Sequence, residues 1–348
     1  MRLGAVLSLE ALDRVCAGRA PRKLVAASVA RSQLKRHRVD AAAEFAHALL
    51  AGCGAPVLDL SADEADVLER GLETLDARMQ AHFDRARALA EYLAARGILV
   101  TGHDHLGHGG SIRTRADYGY FAQPDGNRAV LDDLHAVTAL TKQLYPGVPY
   151  FLLGHSMGSF YARQYLCEWG DELDGAIIMG TGFQPKALVA TARTLCRVLA
   201  VFFGWEHRSK LVANLSFLGY NRGLEGRTPQ DWLNRDQAEV DKYRADERCM
   251  FTFTLNAYYS MFTGILRLYD PAVLAGMPKS LPLLFLAGDA DPVGERTAGV
   301  QRAIQSLRDA GVGNIESKFY PGARHELLVE TNKAEVFADI ADWLNKQI

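Results

Sequence analysis

The stretch Pro149 to Ser159 (Pro-Tyr-Phe-Leu-Leu-Gly-His-Ser-Met-Gly-Ser) leaves the chain few ways to fold. Tyr150 to Leu153 is an apolar run, short enough for a strand buried on both faces. Gly154-His155-Ser156-Met157-Gly158 follows, a G-x-S-x-G, and Phe160 to Leu166 then reads as a helix. Strand, tight turn and helix in that order place the serine on a strained backbone. Its hydroxyl then stands out at the carboxyl end of a sheet, as a nucleophile elbow. Glycine two positions either side lets strand and helix approach closely. The five-residue pattern arises by chance; its flanks give it meaning.

A chain of 348 residues with 49% hydrophobic content accommodates one large α/β domain with an insertion, or two domains. The formal net charge of -2 supplies no global field, so no nucleic-acid partner is expected. Five cysteines (Cys16, Cys53, Cys167, Cys196, Cys249) are scattered, without a C-x-x-C. They read as free thiols in a reducing, cytoplasmic compartment. No 18-residue apolar span is present. Glu10 and Asp13 interrupt the apolar run Met1 to Gly18, which argues against a secretory signal.

Arg19 to Arg38 holds seven basic residues and no acidic one; a targeting peptide and a solvated basic helix both fit, and the solvated helix is favoured. Asp59 to Asp76 is acidic. Ser61-Ala62-Asp63-Glu64 fits a capping box. Ala65, Leu68, Leu72, Leu75, Met79 and Phe83 recur at helical spacing, and a second helix, Phe83 to Arg96, ends at Gly97. A regular rhythm follows. Ile98 to Thr101 is expected as a strand, then a loop, Gly102 to Ser111, with His103, His105 and His108 as turn and packing residues rather than metal ligands. Gly126 to Leu144 is an amphipathic helix, and Gly175 to Met179 a buried strand. Residues 183–271 break the rhythm: Leu188 to Phe203 and Phe251 to Tyr269 are apolar without strand alternation, which fits a helical cap over a greasy cleft. Leu281 to Ala287 and Glu316 to Tyr320 return as strands, with helices at Arg296 to Ala310 and Glu330 to Lys346. Alternating β and α elements predict a mostly parallel sheet with helices on both faces.

Serine is a weak nucleophile until a base takes its proton and a carboxylate orients that base. Ser156 is followed in the chain by Asp291 and then His325, each just past an expected strand and so at the edge where such sheets carry their sites. His325 is the expected base and Asp291 its orienting acid. Asp289 is better placed to structure its turn, Glu326 belongs to the loop, and His155 to the packing around the elbow.

Asp104 to Ser111 (Asp-His-Leu-Gly-His-Gly-Gly-Ser), Gly154 to Ser159, Gly288 to Gly294 (Gly-Asp-Ala-Asp-Pro-Val-Gly) and Arg324-His325-Glu326 together resemble the monoacylglycerol lipase and lysophospholipase (serine aminopeptidase-like) branch of the α/β-hydrolase fold. The likeness runs from about residue 79 to the end. It implies a serine esterase or lipase with a helical cap, acting on monoacyl lipids or similar esters. It also implies Ser156, Asp291 and His325 as the triad, and the backbone amide of Met157 as one oxyanion donor.

The resemblance fails upstream. The family has strands before its first helix, the third ending in His-Gly-x-x-Glu-His followed by Arg-Tyr, and the turn after His-Gly supplies a second oxyanion donor. Here Met79, His82 and Arg85 align, but His-Gly has become Ala77-Arg78. Residues 1–76 offer no counterpart to the early strands, so helix stands in their place. Met79 is the second donor only if the turn survives, and a missing donor costs about 3–4 kcal/mol of barrier. A His-Gly pair encoded CAC-GGx, read one base early after a G, gives Ala-Arg. Out-of-frame translation up to Met79 and a divergent helical segment therefore account equally for residues 1–78.

The expected organisation is a divergent helical segment over 1–78, a hydrolase core over 79–182 and 272–348, and a cap over 183–271. The expected activity is carboxylic ester hydrolysis through an acyl-enzyme, with no cofactor and no metal. The alternatives are acyl transfer, thioester or small-amide cleavage on the same triad, or a silent hydrolase fold that binds a lipid or a partner. The expected partner is a small acyl ester, most simply a monoacyl lipid. Peripheral membrane contact through Leu199 to Trp205 of the cap is a further expectation.

Overall fold

The computed structural model describes residues 86–348. The chain divides into two compact units, Met1–His103 and Asp104–Ile348. The segment 1–78, the capping box at Ser61 and Met79 lie outside the described residues. In the first unit residues 86–94 are helical. That helix ends as its sequence dictates. Gly97 takes φ +82°, the Ile98 amide donates to Leu93 at 3.1 Å and the Gly97 amide to Ala94 at 3.0 Å, the two bonds of a Schellman cap. The strand expected over Ile98 to Thr101 is not formed: residues 98–103 carry no regular structure. A strand is defined by the ladder it joins, and an apolar run of four does not make one by itself.

The second unit is built on four parallel strands in the order β1 (Phe151–His155), β2 (Gly175–Met179), β3 (Leu283–Gly288), β4 (Ile315–Tyr320). The register pairs Phe151 with Gly175, Ala176 with Leu283, and Leu283 with Ile315. Every residue of β2 and β3 is buried, as continuous apolar runs require. Helices cover both faces. On one, α1 (Gly126–Leu144), α2 (Met157–Trp169) and later α8 (Ala298–Asp309) share a cluster with Leu152, Ala176, Ile178 and Phe285. On the other lies α9 (Lys333–Gln347), whose Trp343 stands edge-on to Phe151 at 6.0 Å. In this unit the expected strands and core helices are in place, shifted by three residues at most. The last helix begins at Lys333 rather than Glu330, because the Glu330 side chain turns inward instead of joining it.

Between β2 and β3 lie only helices and turns: α3 (Lys186–Phe203), α4 (Lys210–Ser216), a 3-10 turn (Asp231–Leu233), α5 (Gln237–Ala245), α6 (Leu255–Arg267) and α7 (Pro271–Leu274). α6 starts four residues later than the sequence predicts. Thr254 caps it, accepting from the Ala257 amide at 3.3 Å, and its hydroxyl also donates to Gly119 at 2.7 Å. α3 packs on α6 through a stripe that includes Val189, Cys196 and Ala200. Ala192, Leu195 and Leu199 are half-buried against the same core, while Val201 is 78% exposed and Phe202 75%; Leu218, beyond α4, is 74% exposed. No helix among the described residues is long and apolar enough to cross a membrane.

Candidate active site

The site grows from three loops at the carboxyl ends of β1, β3 and β4. Ser156 has φ 53° and ψ -120°, a left-handed backbone that a non-glycine residue adopts only when its surroundings hold it there. The hold is visible. The Ser156 amide donates to Met179 on β2 at 3.0 Å, and the Ser159 amide and hydroxyl both return to the Ser156 carbonyl, at 2.9 and 2.5 Å. A Cβ at Gly154 would meet the Gly158 carbonyl at 2.4 Å and Ala162 at 2.7 Å, so close strand–helix contact requires glycine there. Gly158 differs from expectation. Among the described residues a Cβ there would touch only His105, at 3.9 Å, an ordinary contact, so none of them requires glycine at 158 for close approach.

Asp291 and His325 are 0% and 1% exposed. β4 is separated from β1 by two strands, so the His325 loop must reach back over β3. It does so where Gly288 leaves room: a Cβ there would lie 2.0 Å from the Ala323 carbonyl. His325 Nε2 stands 2.8 Å from Ser156 Oγ, and Nδ1 stands 2.9 Å from Asp291 Oδ2. An ionised carboxylate only accepts, so Nδ1 carries the proton and Nε2 is left to accept from the serine hydroxyl. The other Asp291 oxygen accepts from the Val293 amide at 2.9 Å. Burial disfavours the imidazolium, but the Asp291 charge and hydrogen bond outweigh it, and the His325 pKa is raised.

The remaining candidates fall into supporting places. Asp289 Oδ1 accepts from the Gly322 amide at 2.6 Å and structures the turn, as its position implied. Asp104 closes its own loop, accepting from the Gly110 amide at 2.7 Å. His108 bonds the Leu106 carbonyl at 3.0 Å and stands edge-on to Phe251 and Phe253, so it is a packing residue. His155 packs too, but on the site itself: its Nε2 lies 3.1 Å from the His325 carbonyl, and its ring centroid 4.8 Å from that of His325. Burial, then the neighbouring His325, depresses its pKa. Met157 opens α2, so its amide is one of the donors that a helix start leaves without an intrahelical partner. Met79, the conditional second donor, lies outside the described residues.

Two neighbours have no signature in the sequence. The Trp232 ring lies 5.1 Å from the His325 ring, and Tyr220 packs on Trp232 at 5.0 Å. Burial, with the Asp291 charge behind it, pushes the Tyr220 hydroxyl up to about 12. Both come from the insertion between β2 and β3, where no spacing links position 232 to 325.

Comparison with known proteins places the chain in a family. The family model for serine aminopeptidase, S33, matches residues 75–332. Monoglyceride lipase of Mus musculus is 32% identical over 77% of this chain and 80% of its own. Monoacylglycerol lipase of Mycolicibacterium smegmatis is 25% identical over 80% of this chain and 89% of its own. A carboxyl esterase from Bacillus coagulans, solved in complex with glycerol, superposes with a TM-score of 0.68 at 26% identity, covering 76% of this chain and 85% of that one. The chain therefore belongs to the serine aminopeptidase, S33, family of α/β hydrolases.

Proposed function

We infer that the chain is a carboxylic ester hydrolase whose substrates are monoacyl lipids, working through a covalent acyl-enzyme on Ser156. The relay from Asp291 Oδ2 to His325 Nδ1 and from His325 Nε2 to Ser156 Oγ carries this reading. Ser156 Oγ attacks the ester carbonyl while His325 Nε2 takes its proton. The tetrahedral oxyanion is met by the Met157 amide. As the C–O bond breaks, His325 returns the proton to the leaving alcohol, and Ser156 keeps the acyl group. Water then attacks the acyl-enzyme with the same histidine as base, releasing the acid and restoring the serine. Asp291 holds the tautomer and stabilises the imidazolium throughout.

The choice of monoacyl lipid is supported by the monoglyceride lipases among the relatives and by glycerol in the complex of the Bacillus coagulans esterase. Residues 183–271 act as the cap. The exposed Val201, Phe202 and Leu218 give it an apolar outer surface suited to peripheral contact with the lipid phase that holds the substrate, from the cytoplasmic side. A panel of 1-monoacylglycerols of graded chain length, assayed for glycerol and fatty acid, tests this. Turnover that rises with chain length to an optimum is expected. No turnover of any monoacylglycerol, with short p-nitrophenyl esters still cleaved, would overturn the lipid assignment.

A further inference from the structure

Asp291 is not the only carboxylate that shapes the His325 loop. Glu330 is 1% exposed, and five donors converge on its carboxylate. Oε1 accepts from the Arg324 amide at 3.0 Å and the Arg235 amide at 3.1 Å. Oε2 accepts from Arg235 Nε at 2.9 Å, the Thr331 amide at 2.8 Å and the Thr331 hydroxyl at 3.2 Å. Arg235 comes from the insertion and also donates to Asn332 Oδ1 at 3.0 Å. Arg324, the residue before His325, sends its guanidinium the other way, to the carbonyls of Asp231 at 2.7 Å and Asn234 at 3.0 Å. The residue after His325 is pinned to the same segment, its amide donating to Leu233 at 2.8 Å.

His325 is thus bracketed on both sides by bonds to residues 231–235, with Trp232 of that segment against its ring. A carboxylate is costly to bury unless its lone pairs are filled. Here they are filled, largely by main-chain amides, so the charge fixes the course of the backbone and not side chains alone.

We propose that Glu330 is a positioning residue for the reaction: through Arg235 and the Arg324 amide it locks residues 231–235 of the insertion onto the His325 loop, and so sets the imidazole between Ser156 and Asp291. The proposal rests on the reading of His325 as the base. A base displaced by about 1 Å loses on the order of 10²-fold in rate.

The test uses full-length variants at a temperature where circular dichroism shows them folded. Glu330→Gln keeps size and removes the charge. Its kcat on a short soluble p-nitrophenyl ester is expected to fall by about 10–100-fold with KM within about twofold, and fluorophosphonate labelling to slow by the same factor. Arg235→Met is expected to lower kcat in the same direction. The double variant should be no slower than Glu330→Gln, because both act through one contact. A folded Glu330→Gln with a lower melting temperature and wild-type kcat overturns the proposal, since the buried contact then serves stability alone. If Glu330→Gln does not fold, Arg235→Met decides, and unchanged kcat there overturns it equally. Activity surviving His325→Ala overturns the assignment of the base and this proposal with it. An inactive His325→Ala beside an unimpaired Glu330→Gln removes only this proposal.

Discussion

His325 Nε2 lies 2.8 Å from Ser156 Oγ, although the two residues stand 169 positions apart in the chain. The contact joins loops after the two outermost of the four described strands, and the His325 loop passes close over Gly288 on the way. The same geometry separates the two acids of the β3 loop. The Asp291 carboxylate bonds the imidazole, and the Asp289 carboxylate bonds the Gly322 amide. Asp291→Asn should lower kcat by about 10³–10⁴, as the wrong tautomer is then favoured. Asp289→Asn keeps an acceptor for Gly322 and should leave kcat within a few-fold. Steady-state kinetics on one soluble ester distinguish them, and equal losses would argue against Asp291 as the partner.

The pH profile follows from the raised pKa of His325. The protonated ring cannot accept the serine proton, so kcat/KM must fall as pH drops through that pKa. With the pKa raised, the acid limb should have its midpoint above the ordinary histidine value of about 6.5. Asp291→Asn removes the charge that raises it and should move the limb to lower pH. A limb at or below 6.5 in the native enzyme would contradict the buried pair.

Gly154 and Gly158 look equivalent in the sequence and are not. Gly154→Ala drives a methyl into the Gly158 carbonyl and should cost about 1–3 kcal/mol, with a loss of activity as the elbow shifts. Among the described residues Gly158→Ala meets only His105, at 3.9 Å, and should be tolerated within roughly 1 kcal/mol. Chemical denaturation of the two variants side by side checks the contrast.

This pair also marks what can be read from sequence. The elbow was legible because strand, turn and helix are local and each has its own signal. Asp291 and His325 were legible because both follow apolar strands, which fixes the sheet edge where they emerge. Trp232, Arg235 and Glu330 were not. The contacts that join Trp232 to His325 and Arg235 to Glu330 span more than 90 positions, and no periodicity in the insertion records them. The sequence puts Glu330 at the start of the last helix, and an acidic residue there suits a helix N-terminus as well as a buried pair. The strand expected at Ile98 failed for a related reason, because apolar content signals burial but not a pairing partner.

The outer face of α3 gives a separate expectation. Phe202→Ser and Phe203→Ser change residues 75% and 60% exposed, so stability should move by no more than about 0.5 kcal/mol. Hydrolysis of a monoacylglycerol presented in phospholipid vesicles should fall several-fold, while cleavage of a soluble short ester stays unchanged. Equal rates on both substrates would remove lipid contact from the cap.

The most direct measurement is the site of covalent labelling. Folded full-length protein is treated with a fluorophosphonate, digested and analysed by peptide mass spectrometry, with Ser156→Ala alongside. The adduct should sit on the peptide that holds Ser156, appear in step with loss of ester hydrolysis, and be absent from Ser156→Ala, which should also be inactive. Ester hydrolysis that persists in Ser156→Ala, or an adduct on another residue that abolishes activity, would contradict the assignment of Ser156 as nucleophile.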